Sequence, residues 1–540
     1  MTSPSRYDVI VAGGGHNGLV AAFYLARAGK RVLVLERRGA VGGPAAPVEF
    51  FPGYRGAMTN SPGSLEPRIV ADMELEKLGL RWVKPDPAVV MPFPSGRIFV
   101  GWRDQAKLRT QMARDFSPRD AEAYPKLFAF FDDFARRLKV SLFEPPPSLA
   151  ELVARLRSPR DEADFARIFF GSIRDYVEEH LESDEIRTAI AMLSLPGAVA
   201  PSTPGTPVAL LQRPMSMFSS SGQAEHDPRN QPLRGSTGLP LGGMGSIAEA
   251  MRRAIERHGA EVRVGAPVAR ILVDTANAIR GVALADGSEF RAPVVLSNIH
   301  PRTTLIDLLD GGQLPDDMAD RLRRLPKGAG AFKVVLAVDE PPLFAGAPPE
   351  LAHAYGSCQV RVADSMEYLE QGHRDFVAGR ATRCPRIQAL FPSMSDPTMA
   401  PPGRHLLSIN AWFYAPDLVG TDWAREGEAV GQSIVDQLAR YVPSLKRSIV
   451  ARKIYTPDDF EREFGMIGGN FAHLDMTADR MFGLRPLPEL SRYRTPVRGL
   501  YLCGSGTWPG GTITGLPGHN AAHQALRDLA GGTQSQVENA

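Results

Sequence analysis

Cysteine is nearly absent from this sequence: 540 residues hold three, Cys358, Cys384 and Cys503, and no two form a CxxC pair. That excludes a disulfide framework, a cysteine zinc site and the redox-active dithiol of disulfide reductases, and no metal site is expected. An excess of one charge is also missing, with 62 basic residues against 60 acidic ones, a net charge of +2, and no Lys/Arg block. No global field therefore exists to recruit nucleic acid or an anionic membrane, and nucleic acid is not an expected partner. No apolar run approaches the ~18 residues that a membrane-spanning helix needs. The opening MTSPSRYDVIV has no basic start ahead of an apolar signal core. The expectation is a soluble, cytoplasmic protein of a reducing compartment. Peripheral membrane contact stays open, because an interfacial patch need not be contiguous in sequence. Self-association stays open as well.

What is present is ample apolar content, 43% over a length that suggests two or three domains. The most informative stretch runs from Tyr7 to Glu36. An apolar run (Val9, Ile10, Val11) enters Gly13-Gly14-Gly15-His16-Asn17-Gly18, a helical pattern follows, Gly29 caps it, and a second apolar strand ends in Glu36. Gly13 permits the tight turn, Gly15 lets backbone approach a pyrophosphate, and Gly18 lets helix and strand pack closely. The N–H groups at the helix start, around His16 and Asn17, favour a diphosphate. Glu36 stands where an acid accepts the ribose hydroxyls of an unphosphorylated adenosine. A plain βαβ unit without a ligand leaves the three successive glycines unexplained.

Further along, 50–69 is rich in Pro, Gly and Ser and reads as loop, either crossing near a bound cofactor or serving as a surface connector. Short alternating runs between 75 and 101, among them Arg81-Trp82-Val83, read as strands of a second, mixed sheet. Between 105 and 195 apolar residues recur at helical spacing, either as the core of a helical subdomain or as aromatics lining an apolar tunnel. The Pro/Gly/Ser-rich passage 196–241 reads as a binding or mobile loop. Gly243-Met244-Gly245 matches a dinucleotide glycine pattern, but Pro240 precedes it and no acid ends the next strand, so it reads as a turn starting a helix at Ile247. Phe332–Asp339 is a strand with Lys333 at its start, and a lysine there is ordinarily a solvated edge residue. Near the C-terminus, the strand Leu500–Cys503 leads into the glycine-rich loop 504–518 and a helix beginning near His519 or Asn520. Strand, glycine-rich loop and helix again make an anion-binding helix start, able to stabilise negative charge on a ligand beside it. His16, His300, His473 and His519 lie near these motifs and read as structural.

The continuation after Glu36 (Arg37, Arg38, Gly39, Ala40, Val41, Gly42, Gly43) resembles the glycine doublet of FAD-dependent oxidoreductases, which favours FAD over NAD. Together with GGMGSIAEAM, VVLSN, LYLCGSGTWPGG and TGLPGHNAA, it resembles the phytoene desaturase-like branch of that superfamily, which includes carotenoid desaturases, carotenoid isomerases and retinol saturase. The resemblance implies an α/β fold, with a Rossmann-type FAD-binding domain like those of glutathione reductase and the amine oxidases. A discontinuous domain of mixed sheet and helices would bind substrate. The implied boundaries are 1–75, 236–300 and 455–530 for the FAD domain, 76–235 and 301–454 for the substrate domain, and a flexible tail at 531–540.

By the same resemblance, FAD is bound non-covalently by Gly13, Gly15, His16, Asn17, Gly18, Glu36, Arg37, Gly42 and Gly43, with the backbone of Val268 meeting the adenine. Gly504, Ser505, Gly515 and Leu516 would face the flavin. Lys333 matches the amine oxidase lysine that holds a water near flavin N5. Where many flavin amine oxidases carry an acid after the C-terminal glycine, this chain carries Ser505. The leading expectation is a dehydrogenase or desaturase that passes hydride from a lipophilic small molecule to FAD, with the electron acceptor unassigned. Non-redox isomerisation or hydration on reduced flavin, and a flavin-stabilised interaction protein, are the alternatives.

Overall fold

The computed structural model describes residues 7–60, 65–195, 197–219 and 238–531. The expected tail beyond 531 and residues 220–237 of the 196–241 stretch lie outside the described residues; within its described part Thr206–Leu211 and Gln212–Ser219 are helical rather than loop. Two sheets organise the rest.

The first is a five-stranded, all-parallel sheet in the order Leu500–Leu502, Val294–Ser297, Val9–Ala12, Val32–Leu35, Glu261–Arg263. Val9–Ala12 and Val32–Leu35 are wholly buried and wholly aliphatic, as central strands covered on both faces must be. Helix His16–Arg27 crosses from the first of these to the second, and Gly29, at φ +78°, ends it in the left-handed conformation that glycine adopts without strain. Helices Gly245–Arg257 and Leu516–Gly531 pack against it. The contact with the latter is backbone to backbone, since a Cβ on Gly518 would lie 2.0 Å from the Asn17 carbonyl oxygen.

The second sheet has seven strands in the order Ile449–Tyr455, Gly330–Val338, His405–Tyr414, Arg386–Leu390, Gln359–Val362, Val89–Pro92, Ile98–Gly101. Only the junction of Gln359–Val362 with Val89–Pro92 is parallel among these pairings, so the sheet is mixed. Helices between Gln105 and Leu193, the longest of them Pro118–Leu138, form a layer beside it. Their aromatic residues Tyr124, Phe131, Phe134, Phe165 and Tyr176 are core. The fold is the α/β arrangement of a helix-covered parallel sheet joined to a mixed-sheet and helical unit. No helix among the described residues is long and apolar enough to cross a membrane.

Several local expectations need correction. The stretch 50–69 is not all loop: Val48–Phe51 and Tyr54–Gly56 form a hairpin about Gly53, and Pro67–Asp72 is helical. Trp82–Val83 does not join the seven-stranded sheet but pairs with Leu239–Pro240. The C-terminal helix starts at Leu516 rather than at His519 or Asn520, with Pro517 in its first turn, where a missing N–H costs no hydrogen bond. Helix Gly245–Arg257 starts two residues before Ile247.

Candidate functional site

One cavity of about 570 Å³ runs from the carboxyl ends of the parallel strands to the face of the seven-stranded sheet. Its first wall is the glycine turn. Gly13 has φ +98°, and Gly15 precedes helix His16–Arg27 with no side chain capping the helix start. A Cβ on Gly15 would stand 2.7 Å from Asn298 Nδ2, and one on Gly18 only 2.2 Å from the Gly13 carbonyl oxygen. Side chains are thereby excluded where backbone must come close to a ligand. The Gly42 N–H donates to the Gly14 carbonyl at 2.8 Å, which joins the second glycine pair to the first turn, and Gly42 has φ +117°. Gly13, Gly15, His16 and Gly43 line the cavity, while Asn17, Gly18 and Gly42 support it from behind.

Glu36 is buried at the cavity wall, and its two oxygens accept the Gly14 N–H at 2.8 Å and the Arg38 N–H at 2.9 Å. The acid therefore holds the glycine turn as well as facing the ligand space, and each oxygen retains a lone pair. Arg37 also lines the cavity, beside Arg38, whose guanidinium sits 3.9 Å from the Phe464 ring centroid with Nη1 buried and unpartnered. Val268 lies beside them at the start of its strand.

From the C-terminal loop, Ser505, Thr512 and Ile513 reach the cavity, whereas Gly504, Gly515 and Leu516 do not. Leu516 is fully buried, and a Cβ on Gly515 would meet Ile69 and Val20, so this pair serves packing of the helix start. Three of the four singled-out histidines line the cavity. His300 Nδ1 accepts the Arg302 N–H at 3.1 Å, which makes Nε2 the donor to the His473 carbonyl at 2.8 Å. Burial pushes His16 and His300 down to about 4 and His473 well below its ordinary value, so all three are neutral near pH 7. His16 Nε2 and His473 Nδ1 are buried with no partner in the protein. His519 packs edge-on against Tyr24 and Phe143, away from the cavity.

Two buried charges, neither evident in the sequence, hold this wall together. Asp475 accepts the Ala329 N–H at 3.2 Å, the Ala198 N–H at 3.4 Å and Asn470 Nδ2 at 2.8 Å, and so ties three distant segments at the cavity edge. Burial raises its carboxyl. Arg485, fully buried, donates to the carbonyls of Ser505 (2.7 Å), Ala472 (2.7 Å), Leu474 (3.1 Å), Asp475 (3.2 Å) and Arg480 (3.3 Å). A guanidinium can satisfy that many acceptors because its five donors are fixed in a planar fork.

The far wall is formed by Leu193, Leu195 and Val208 from the helical layer and by Arg386, Gln388, Asn410 and Trp412 from the sheet. Lys333 is not at a solvated edge. Its strand has partners on both sides, and the side chain is fully buried. Its Nζ donates to Ser408 Oγ (2.7 Å), Asn410 Oδ1 (3.1 Å) and Asn60 Oδ1 (3.3 Å), and burial pushes its pKa down to about 7. All three ammonium protons thus have protein acceptors. Asn410, not Lys333, is the member of this network that lines the cavity.

The cradle fits a dinucleotide: side chains are excluded at Gly15, a buried acid stands at the second strand end, and imidazole and guanidinium nitrogens lack protein partners. Asn298, at the end of the Val294–Ser297 strand, belongs to it too, with Nδ2 donating to the Gly13 carbonyl at 3.3 Å. Its signal in the sequence is its place at the end of VVLSN, a polar residue closing an apolar strand.

A family described as flavin containing amine oxidoreductase matches residues 18–522. The chain is 32% identical to rat (Rattus norvegicus) pyridine nucleotide-disulfide oxidoreductase domain-containing protein 2, over 97% of this chain and 94% of that one. It is 27% identical to a limonene dehydrogenase polypeptide of Castellaniella defragrans, over 98% and 96%. With a lycopene-forming phytoene desaturase of Pseudescherichia vulneris it shares 25% identity over 96% and 98%. In fold it is similar to a putrescine oxidase variant, with TM-score 0.62, 16% identity and coverage of 98% and 99%.

Proposed function

Because the chain belongs to the flavin containing amine oxidoreductase family and its cofactor is non-covalent FAD, we propose that it removes two hydrogens from a lipophilic small molecule, one of them as hydride. FAD supplies the hydride acceptor. The observation that carries this reading is one continuous cavity that has the glycine cradle at one end and Leu193, Leu195, Val208 and Trp412 at the other. Cofactor and an apolar substrate can meet there without leaving the protein. Relatives named for limonene dehydrogenation and phytoene desaturation, both lipophilic compounds, support the same class.

In this account Gly13, Gly15, Gly18, His16 and Asn17 present the helix start to the diphosphate, and Gly42 and Gly43 keep the second side of the cradle open. Glu36 and Arg37 address the adenosine ribose, with the Val268 backbone beside the adenine. Ser505 and the Arg485-held loop border the flavin end, and Gly504, Gly515 and Leu516 shape that loop from behind. Lys333 acts through Asn410: by donating to Asn410 Oδ1 it turns the amide N–H groups toward the cavity. The apolar wall keeps water away from the reacting carbon.

The test is an anaerobic titration of the oxidised holoprotein with lipophilic alkenes, carotenoids and amines, followed by flavin absorbance. One compound class should bleach the flavin. A panel in which nothing bleaches it would overturn a redox role toward these classes.

A further inference from the structure

The cavity face of the seven-stranded sheet carries a row of polar residues in direct register. Arg361 stands opposite Gln388, Gln388 opposite Asn410, and Asn410 opposite Lys333. One pair along, Arg386 stands opposite Trp412 on the same face. Polar residues opposed across four adjacent strands are unusual in a covered sheet, where side chains facing a core are apolar. This row holds three cations and no acid.

Of these three, Arg386 is the one that lines the cavity. Its guanidinium lies 5.0 Å from the Trp412 ring centroid, Nη1 donates to the Leu195 carbonyl, and Nε is buried without a partner. That leaves the side-on edge of Nε and Nη2, the geometry that grips a planar carboxylate with two parallel hydrogen bonds. Arg361 Nε is likewise buried and unpartnered. Among the described residues neither arginine forms an ion pair. The acid that faces Arg386 is Asp475, whose oxygens are taken by backbone and amide donors. Burial weakens both guanidinium groups, each pushed down to about 10. A dehydrated cation with an unmet donor is costly unless a ligand supplies the opposite charge.

We propose that the substrate is an amphipathic acid: an apolar body seated against Leu193, Leu195 and Val208, and a carboxylate seated on the Arg386 edge next to Gln388. This rests on the lipophilic-substrate reading and narrows it. The carboxylate anchors the molecule at the sheet and fixes which carbon reaches the flavin end.

The test is binding, read without turnover. FAD-loaded protein is titrated with dodecanoic and geranic acids and, in parallel, with their methyl esters, by calorimetry and by perturbation of the flavin absorbance band. The acids should bind at least about tenfold more tightly than the esters, as expected for a charged hydrogen-bonded pair. Arg386→Leu should erase that preference while keeping FAD content and ester binding, and Arg386→Lys should restore part of it. Equal affinity of acids and esters in the unaltered protein would overturn the proposal, and that comparison needs no variant. Loss of FAD from a folded Arg386→Leu would also overturn it, by assigning the arginine to the cofactor. Because binding is read without reduction, failure to find a compound that bleaches the flavin leaves this result standing on its own.

Discussion

The two sheets handle charge in opposite ways. The central strands of the parallel sheet, Val9–Ala12 and Val32–Leu35, carry only aliphatic side chains, and the polar groups of the ligand space beyond their ends, Glu36, Arg37 and Arg38, stand with the glycine turns on the loops that follow the strands. The seven-stranded sheet turns Lys333, Arg361, Arg386, Gln388 and Asn410 inward on its covered face. A cofactor shared by many proteins can be held by backbone geometry, which leaves little for side chains to decide. Substrate choice needs side-chain chemistry, so the buried polar groups gather on the other sheet.

The sharpest way to break this contrast is at Gly15. Gly15→Val should abolish FAD retention, because a Cβ there would stand 2.7 Å from Asn298 Nδ2 and force the glycine turn that lines the cavity to shift. Flavin content of the folded variant measures this, and full occupancy would refute the placement of the cofactor. Next in size is Arg485→Met, which strands the buried carbonyls of Ser505, Ala472 and Leu474 and should destabilise the protein by roughly 3 kcal/mol, read as a lowered denaturant midpoint.

Lys333 sharpens the contrast through pH. Its pKa falls from the ordinary 10.5 to about 7 on burial, so between these values the unfolded state binds more protons than the native one. Stability from this group therefore rises with pH across that window and is flat below it. Lys333→Met should remove the rise, seen as a stability difference between protein and variant that changes steadily from pH 7 to 10 in urea unfolding. The smallest effect is expected at Gln388→Leu, a few-fold loss of acid binding with FAD content unchanged, since a neutral amide adds one hydrogen bond beside the arginine.

The same contrast explains what the sequence made legible. The strand, turn and helix from Val9 to Arg27 sit within one contiguous stretch, and each residue type there has one local reason to be present. The Gly245 turn and the strand around Lys333 were legible for the same reason. Arg361 and Arg386 were not, because they lie 25 residues apart and only strand register brings them to one face. Asp475 and Arg485 are not announced by any side-chain pattern, because Asp475 accepts backbone N–H groups of distant segments and Arg485 donates to backbone carbonyls. The hairpin at Gly53 and the pairing of Trp82 with Pro240 were obscured by Pro and Gly content that reads as loop. The covered position of Lys333 depends on strands 70 and more residues away.

The central claim is that hydride leaves a lipophilic substrate within this cavity, and a single turnover tests it most directly. Oxidised holoprotein is mixed anaerobically with a sub-stoichiometric amount of the compound that bleaches its flavin, and the recovered small molecule is weighed by mass spectrometry. The predicted result is one flavin reduced per molecule converted and a product lighter by two hydrogens. A product of unchanged mass, or conversion without flavin reduction, would contradict it.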